Sequence, residues 1–181
     1  AQSLHQQALE LSSPAQRRIE ASTRINLGND HWHAGDFAAA RDQFEKALTI
    51  CRRAGIRQIE SLAQLNIGLV ESELGAADQA MTQIERALAI SREVGDRRGE
   101  GNALLNLLVV QMEQGQTAAV GVQIEDALQL CRAIGDQQGE AIALDLLAHV
   151  QMRVGAYAAA EGTLTAAWEL CTRIDDAWGL M

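Results

Sequence analysis

This chain is expected to fold as an all-α solenoid of antiparallel helical hairpins, an expectation that rests on composition, periodicity and glycine placement. One proline and six aromatic residues (Trp32, Phe37, Phe44, Tyr157, Trp168, Trp178) sit among abundant Ala, Leu, Gln, Glu and Arg, a mixture that favours helices over strands. The sequence also repeats every forty residues without a gap, in blocks 17–56, 57–96, 97–136 and 137–176. Each block holds a central glycine (Gly35, Gly75, Gly115, Gly155), and three of them carry another near the end (Gly55, Gly95, Gly135). That punctuation divides a block into two helices, because glycine readily takes the left-handed conformation that stops a helix.

The first element, AQSLHQQALELS, matches only the second half of a block (compare FEKALTIC), so 1–16 reads as the second helix of a partial repeat. Four full hairpins follow. Asp96 and Asp136 come directly after a terminal glycine and are expected to N-cap the next first helix. Glu20, Glu60, Glu100 and Glu140 recur near first-helix starts, and Arg52, Arg92 and Arg132 near second-helix ends, the signs a helix dipole favours. Core columns run through Leu27, Ile67, Leu107 and Leu147 in first helices, and through Phe44, Ile84, Ile124 and Leu164 in second helices. Ala47, Ala87, Ala127 and Ala167 follow three places later and allow close helix approach. Last, AWGLM at 177–181 matches only a block's beginning and is expected to start a further helix or form a tail. A start and an end in mid-repeat are expected of a piece of a longer protein.

Cys51, Cys131 and Cys171 occupy one slot of the repeat, with Ser91 in the fourth. Stacked helices lie roughly 8–10 Å apart per step, whereas a disulfide needs Cα atoms within about 7 Å, so free, part-buried thiols are expected. Reduced cysteines and the absence of a recognisable signal peptide fit a cytoplasmic setting.

The net charge of −9 and the lack of an apolar run near eighteen residues argue against nucleic acid and membrane as partners. Up to Arg98 the balance is −1; beyond it, three arginines face eleven carboxylates. A steered partner would therefore bring a basic portion to the C-terminal half. Catalytic constellations fail on spacing. His31 and His33 point about 200° apart around a helix, and His5 and His149 lie in distant blocks. Lys46, the sole lysine, follows no glycine-rich phosphate loop, and no cysteine has a histidine on the same face. A non-enzymatic chain without cofactor or metal is expected.

The order of Leu-Gly (Leu27-Gly28), central glycine, small residue (Ala40, Ala80, Val120, Ala160), bulky apolar residue and alanine resembles the tetratricopeptide repeat. Gly28 and Gly68 keep the small residue after the apolar position, and Leu108 and Ala148 depart from it. The period is longer than the family's usual one. It is similar to kinesin light chains, Leu-Gly-Asn-repeat adaptors and the sensor domains of bacterial activators and signalling ATPases. The resemblance implies a right-handed superhelix with first helices lining a concave groove, and a partner held there.

The groove face lies opposite the core stripe of each first helix. Its candidate partner-binding residues are Asn26, Asn29 and His33; then Leu62, Asn66, Leu69 and Glu73; then Asn102, Asn106, Val109, Met112 and Glu113; then His149, Met152 and Arg153. Asn26, Asn66 and Asn106 recur at forty, and a side-chain amide both donates to and accepts from an extended peptide backbone. Leu62, Leu65, Leu69, Leu105, Val109, Met112, Ile142 and Met152 are expected to add apolar contacts on or beside that face. Ile25 and Leu65 stand where relatives that clamp a C-terminal carboxylate carry lysine, so such a clamp is not expected. ALLNLLVV (103–110) is apolar on nearly every side and calls for cover. The favoured function is a protein-interaction module holding a peptide or helical segment. The alternative is a homo-oligomeric scaffold built on the third repeat.

Overall fold

The computed structural model describes residues 13–179. Most of the expected half-repeat at 1–16, including His5, lies outside the described residues, as do residues 180–181. The described chain is helical throughout: α1 (Pro14–His33), α2 (Phe37–Ala54), α3 (Arg57–Glu73), α4 (Ala77–Val94), α5 (Arg97–Glu113), α6 (Thr117–Ile134), α7 (Gln137–Arg153) and α8 (Tyr157–Gly179). The all-α hairpin fold is therefore the one adopted. Two compact units divide it, residues 1–95 and 96–181.

Local chemistry sets the helix ends. Ser13 caps α1 by accepting from the Gln16 N–H at 3.2 Å, while Gln16 Oε1 accepts the Ser13 N–H at 2.7 Å, a reciprocal capping box with Pro14 in the first turn. Asp96 accepts from Gly99 N–H at 2.9 Å and Asp136 from Gly139 N–H at 3.1 Å, as expected of N-caps. Gly55, Gly95 and Gly135 end α2, α4 and α6 at φ 67°, 70° and 70°, the left-handed region where a Cβ is penalised. In the fourth block Asp175 takes that slot, and α8 continues through Gly179.

In unit 1 the core gathers Ala21 and Ile25 of α1, Ala40, Phe44, Ala47, Leu48, Ile50 and Cys51 of α2, and Ile59, Ala63, Ile67 and Val70 of α3. Gly28 and Gly68 permit the close hairpin approach. A Cβ on Gly28 would lie 2.4 Å from the Phe44 ring, and one on Gly68 would lie 2.6 Å from Ile84 Cγ1 and 3.1 Å from the Ala80 carbonyl oxygen. In unit 2 the same slot holds Leu108, fully buried, and Ala148, also fully buried. Cys51 and Cys131 are free and buried, and Cys171 is free and exposed.

Both core columns need correction: in the second helices Leu164 is 37% exposed, where Phe44, Ile84 and Ile124 are fully buried. Ile67 and Leu107 are buried as expected, but Leu27 is 43% exposed. In α3 this slot packs toward the second helix of the preceding hairpin. Leu27 belongs to the first described hairpin, so no second helix precedes it among the described residues.

The two charge columns turn out to pair with each other. Arg52 Nε lies 3.3 Å from Glu60 Oε1, and Arg132 Nε lies 2.7 Å from Glu140 Oε1, each joining a second-helix end to the next first-helix start. Glu60 is buried and also takes Arg57 Nη1 at 2.8 Å.

Candidate peptide-binding face

Within each unit the first helices lie side by side while the second helices stand on the outer side, so the first-helix face is the inner one. In unit 1, α1 and α3 are adjacent, and in unit 2, α5 and α7 are.

In unit 1, Asn26 and His33 of α1 are exposed and Asn29 is half-buried; the His33 ring stacks on Trp32 at a centroid distance of 6.3 Å. On α3, Leu62 and Glu73 are exposed, Leu69 is half-buried and Asn66 is buried at 6%. Asn66 Nδ2 donates to Asn29 Oδ1 at 3.2 Å, so two site candidates thirty-seven residues apart meet. The bond ties α1 to α3.

In unit 2, Asn102 and Glu113 of α5 are exposed, while Asn106, Val109 and Met112 are half-buried. Asn106 Nδ2 donates to the Asn102 carbonyl oxygen one turn back at 2.8 Å. On α7, Ile142, His149, Met152 and Arg153 are exposed, and His149 Nδ1 lies 2.9 Å from the Asp145 carbonyl oxygen. The amide column is thus not uniform. Asn26 faces water, Asn66 bridges two helices and Asn106 bonds its own helix, because a neighbour reachable at one position is out of reach at the next.

The apolar inventory is corrected too. Leu65 and Leu105 belong to the core, with 7% and 3% exposure. ALLNLLVV needs little outside cover: Ala103, Leu104, Leu105, Leu107, Leu108 and Val110 are buried by the fold itself. Only Asn106 and Val109 of that stretch remain half open.

The tetratricopeptide repeat profile matches residues 1–53, under a third of the chain. Solved structures extend the likeness over the remaining hairpins, as a likeness of fold. Aspartyl phosphate phosphatase F from Bacillus subtilis superposes with a TM-score of 0.81 at 12% identity, over 88% of this chain and 42% of that one. BtubC from P. vanneervenii follows at TM-score 0.77 and 17% identity, over 97% and 73%. A signal transduction ATPase with a tetratricopeptide repeat sensor from Pyrococcus horikoshii gives 0.75 and 17%, over 97% and 27%. This chain therefore spans about two fifths of the length of the phosphatase. Among curated proteins none matches by sequence.

Several links within these helical repeats escaped the sequence reading. Arg24 Nη1 donates to Gln43 Oε1 at 3.3 Å, and Gln64 Nε2 to Gln83 Oε1 at 3.0 Å; both join a first helix to its own second helix at matching slots. Arg41 Nη2 meets the buried Glu71 at 3.1 Å, joining α2 to α3. The repeat register itself was the available signal, since 24 and 43 recur as 64 and 83. A cleft of about 320 Å³ opens between Arg98, Ile134, Asp136, Gln137 and Ile174, beside the α6–α7 turn and not on the first-helix face. Among the described residues no group of His, Cys, Asp and Glu is placed to hold a metal ion, and no helix is long and apolar enough to cross a membrane.

Proposed function

We propose that this chain is a tetratricopeptide-repeat protein-interaction module whose first-helix face holds a peptide or helical segment of another protein. The observation that carries the reading is the side of unit 2 where Ile142 and Met152 stand exposed and Val109 and Met112 half-exposed on α5 and α7. Apolar side chains left open on an inner face supply affinity, and the exposed polar groups beside them, Asn102 and His149, supply orientation. The sensor domain of the signal transduction ATPase supports a regulatory role by likeness of fold. The partner segment is basic where it meets unit 2, because the negative charge concentrates there. The placement is cytoplasmic and the role non-enzymatic.

A binder selected from a random displayed-peptide library tests this. Ile142→Glu with Met152→Glu should abolish its binding, while Val122→Glu, on the outer α6, should leave it intact. Equal loss in both variants, or none in either, would refute the inner-face reading.

A further inference from the structure

Where α2 turns into α3, a charged strap braces unit 1. Arg57, at the start of α3, spans two carboxylates: its Nη1 donates to Glu60 Oε2 at 2.8 Å and its Nη2 to Glu93 Oε2, near the end of α4. The strap ties the start of a first helix to the end of its own second helix. The repeat register carries the same places into unit 2, at the turn from α6 to α7, but with other residues. Gln137 stands where Arg57 does, and Arg173 where Glu93 does. An amide facing a guanidinium cannot make the strap, and of the network only Arg132–Glu140 is kept, at 2.7 Å.

The cleft of about 320 Å³ lies at this unstrapped place. It sits at the joint of the third and fourth hairpins, and every residue that lines it is described. Ile134 and Ile174, both half-buried, form apolar walls, and the exposed Gln137 and Gln138 add amides. Arg98 of α5 completes the lining and forms no ion pair among the described residues. Asp136 also borders the cleft, with its Oδ1 taken by the Gly139 N–H at 3.1 Å.

That lining has a definite preference. A guanidinium beside amide donors recognises a carboxylate, and two isoleucines favour an aliphatic stem next to it. In unit 1 the group at the matching place is itself a carboxylate on a short stem, the side chain of Glu93. Asp136 opposes a second negative charge, which selects a monocarboxylate over a dicarboxylate or a phosphate.

We propose that the cleft at the α6–α7 turn binds a short aliphatic monocarboxylate, paired by Arg98, hydrogen-bonded by Gln137 and Gln138, and flanked by Ile134 and Ile174. The site stands independently of the inner-face reading, because it does not lie on the first-helix face.

Butyrate and butyramide, its neutral counterpart of similar shape, test the site on the 181-residue chain. Followed by NMR, the side-chain N–H signals of Arg98, Gln137 and Gln138 should shift saturably with butyrate and stay in place with butyramide. Arg98→Gln, at an exposed position, should keep the helical melt and weaken butyrate roughly tenfold or more. Gln137→Arg combined with Arg173→Glu installs the strap of unit 1, and should raise the melting temperature and abolish the butyrate shifts. If that double variant loses its helical melt, Ile174→Glu replaces it, since a carboxylate of the chain's own at the cleft wall should also exclude butyrate. No saturable shift with butyrate, an equal response to butyramide, full affinity in Arg98→Gln, or binding that survives the strap would each overturn the proposal.

Discussion

Unit 1 and unit 2 repeat one backbone and stitch it differently. In unit 1, directional bonds cross between helices: Asn29–Asn66, Arg24–Gln43, Gln64–Gln83 and Arg41–Glu71. In unit 2 the corresponding positions hold Val109 and Leu146, Leu104 and Gln123, Leu144 and Thr163, and Gly121 and Gln151. Leu104, Leu144 and Leu146 are buried, so apolar area replaces three of those bonds, while Thr163 Oγ1 donates to Gln151 Oε1 at 2.9 Å and joins α8 to α7. The hairpin seam follows the same division, with Gly28 and Gly68 pressed against Phe44 and Ile84 in unit 1, and Leu108 filling the slot in unit 2. Stacking hairpins therefore requires a filled slot of the right volume, not a particular residue. Where the filling is apolar, the surplus extends to the surface at Ile142 and Met152.

The largest expected effect comes from exchanging the seam residues. Leu108→Ala removes a fully buried side chain and leaves a cavity, at a cost of about 3 kcal/mol. Gly68→Leu forces a side chain into a slot where a Cβ alone would come within 2.6 Å of Ile84 Cγ1. It should cost about 2 kcal/mol by overpacking. Chemical denaturation of both variants measures this. If Gly68→Leu were neutral, the seams of the two units would be interchangeable and the contrast drawn above would fail.

A smaller effect separates the amides. Asn66→Ala strips Asn29 Oδ1 of its donor in a half-buried setting, for a loss of about 1 kcal/mol. Asn26→Ala, at an exposed position of the same column, should change stability by less than about 0.5 kcal/mol. Thermal melts of the pair decide it. Equal shifts would mean that the Asn66 bond contributes nothing, and the polar stitching of unit 1 would lose its clearest member.

What could be read from sequence follows from how local the physics is. The left-handed glycines, the Asp96 and Asp136 caps and the free cysteines depend on a few neighbouring residues or on the repeat length, and all appear where expected. Leu27 and Asn66 depend on what lies across from them. A slot buried in α3 is open in α1 because its neighbour differs, although residue type and register are alike. The same dependence hid the exposure of Leu164, which the repeat register places in the core column and the structure leaves 37% exposed.

The cysteine slot is where the two units behave alike, and it provides the mildest test. Burial pushes the Cys51 thiol up to about 11, with Glu60 adding to the shift, and burial pushes Cys131 up to about 11, with Asp136 and Glu140 adding. The folded state therefore holds both thiols neutral, while the unfolded chain ionises them near the ordinary value of 9.0. Their contribution to stability is whole below pH 9, declines as pH rises from 9.0 toward about 11, and levels off beyond. At neutral pH nothing should change. Melting temperature should fall across the alkaline window in the parent, and fall less in a Cys51→Ala, Cys131→Ala double variant. A thiol reagent at pH 8 should label Cys171 alone in the folded protein, since a buried neutral thiol is both shielded and unreactive. Faster labelling at Cys131 than at Cys51 would show that apolar packing in unit 2 opens more readily than the bonded packing of unit 1, turning a point of agreement between them into a measure of their difference.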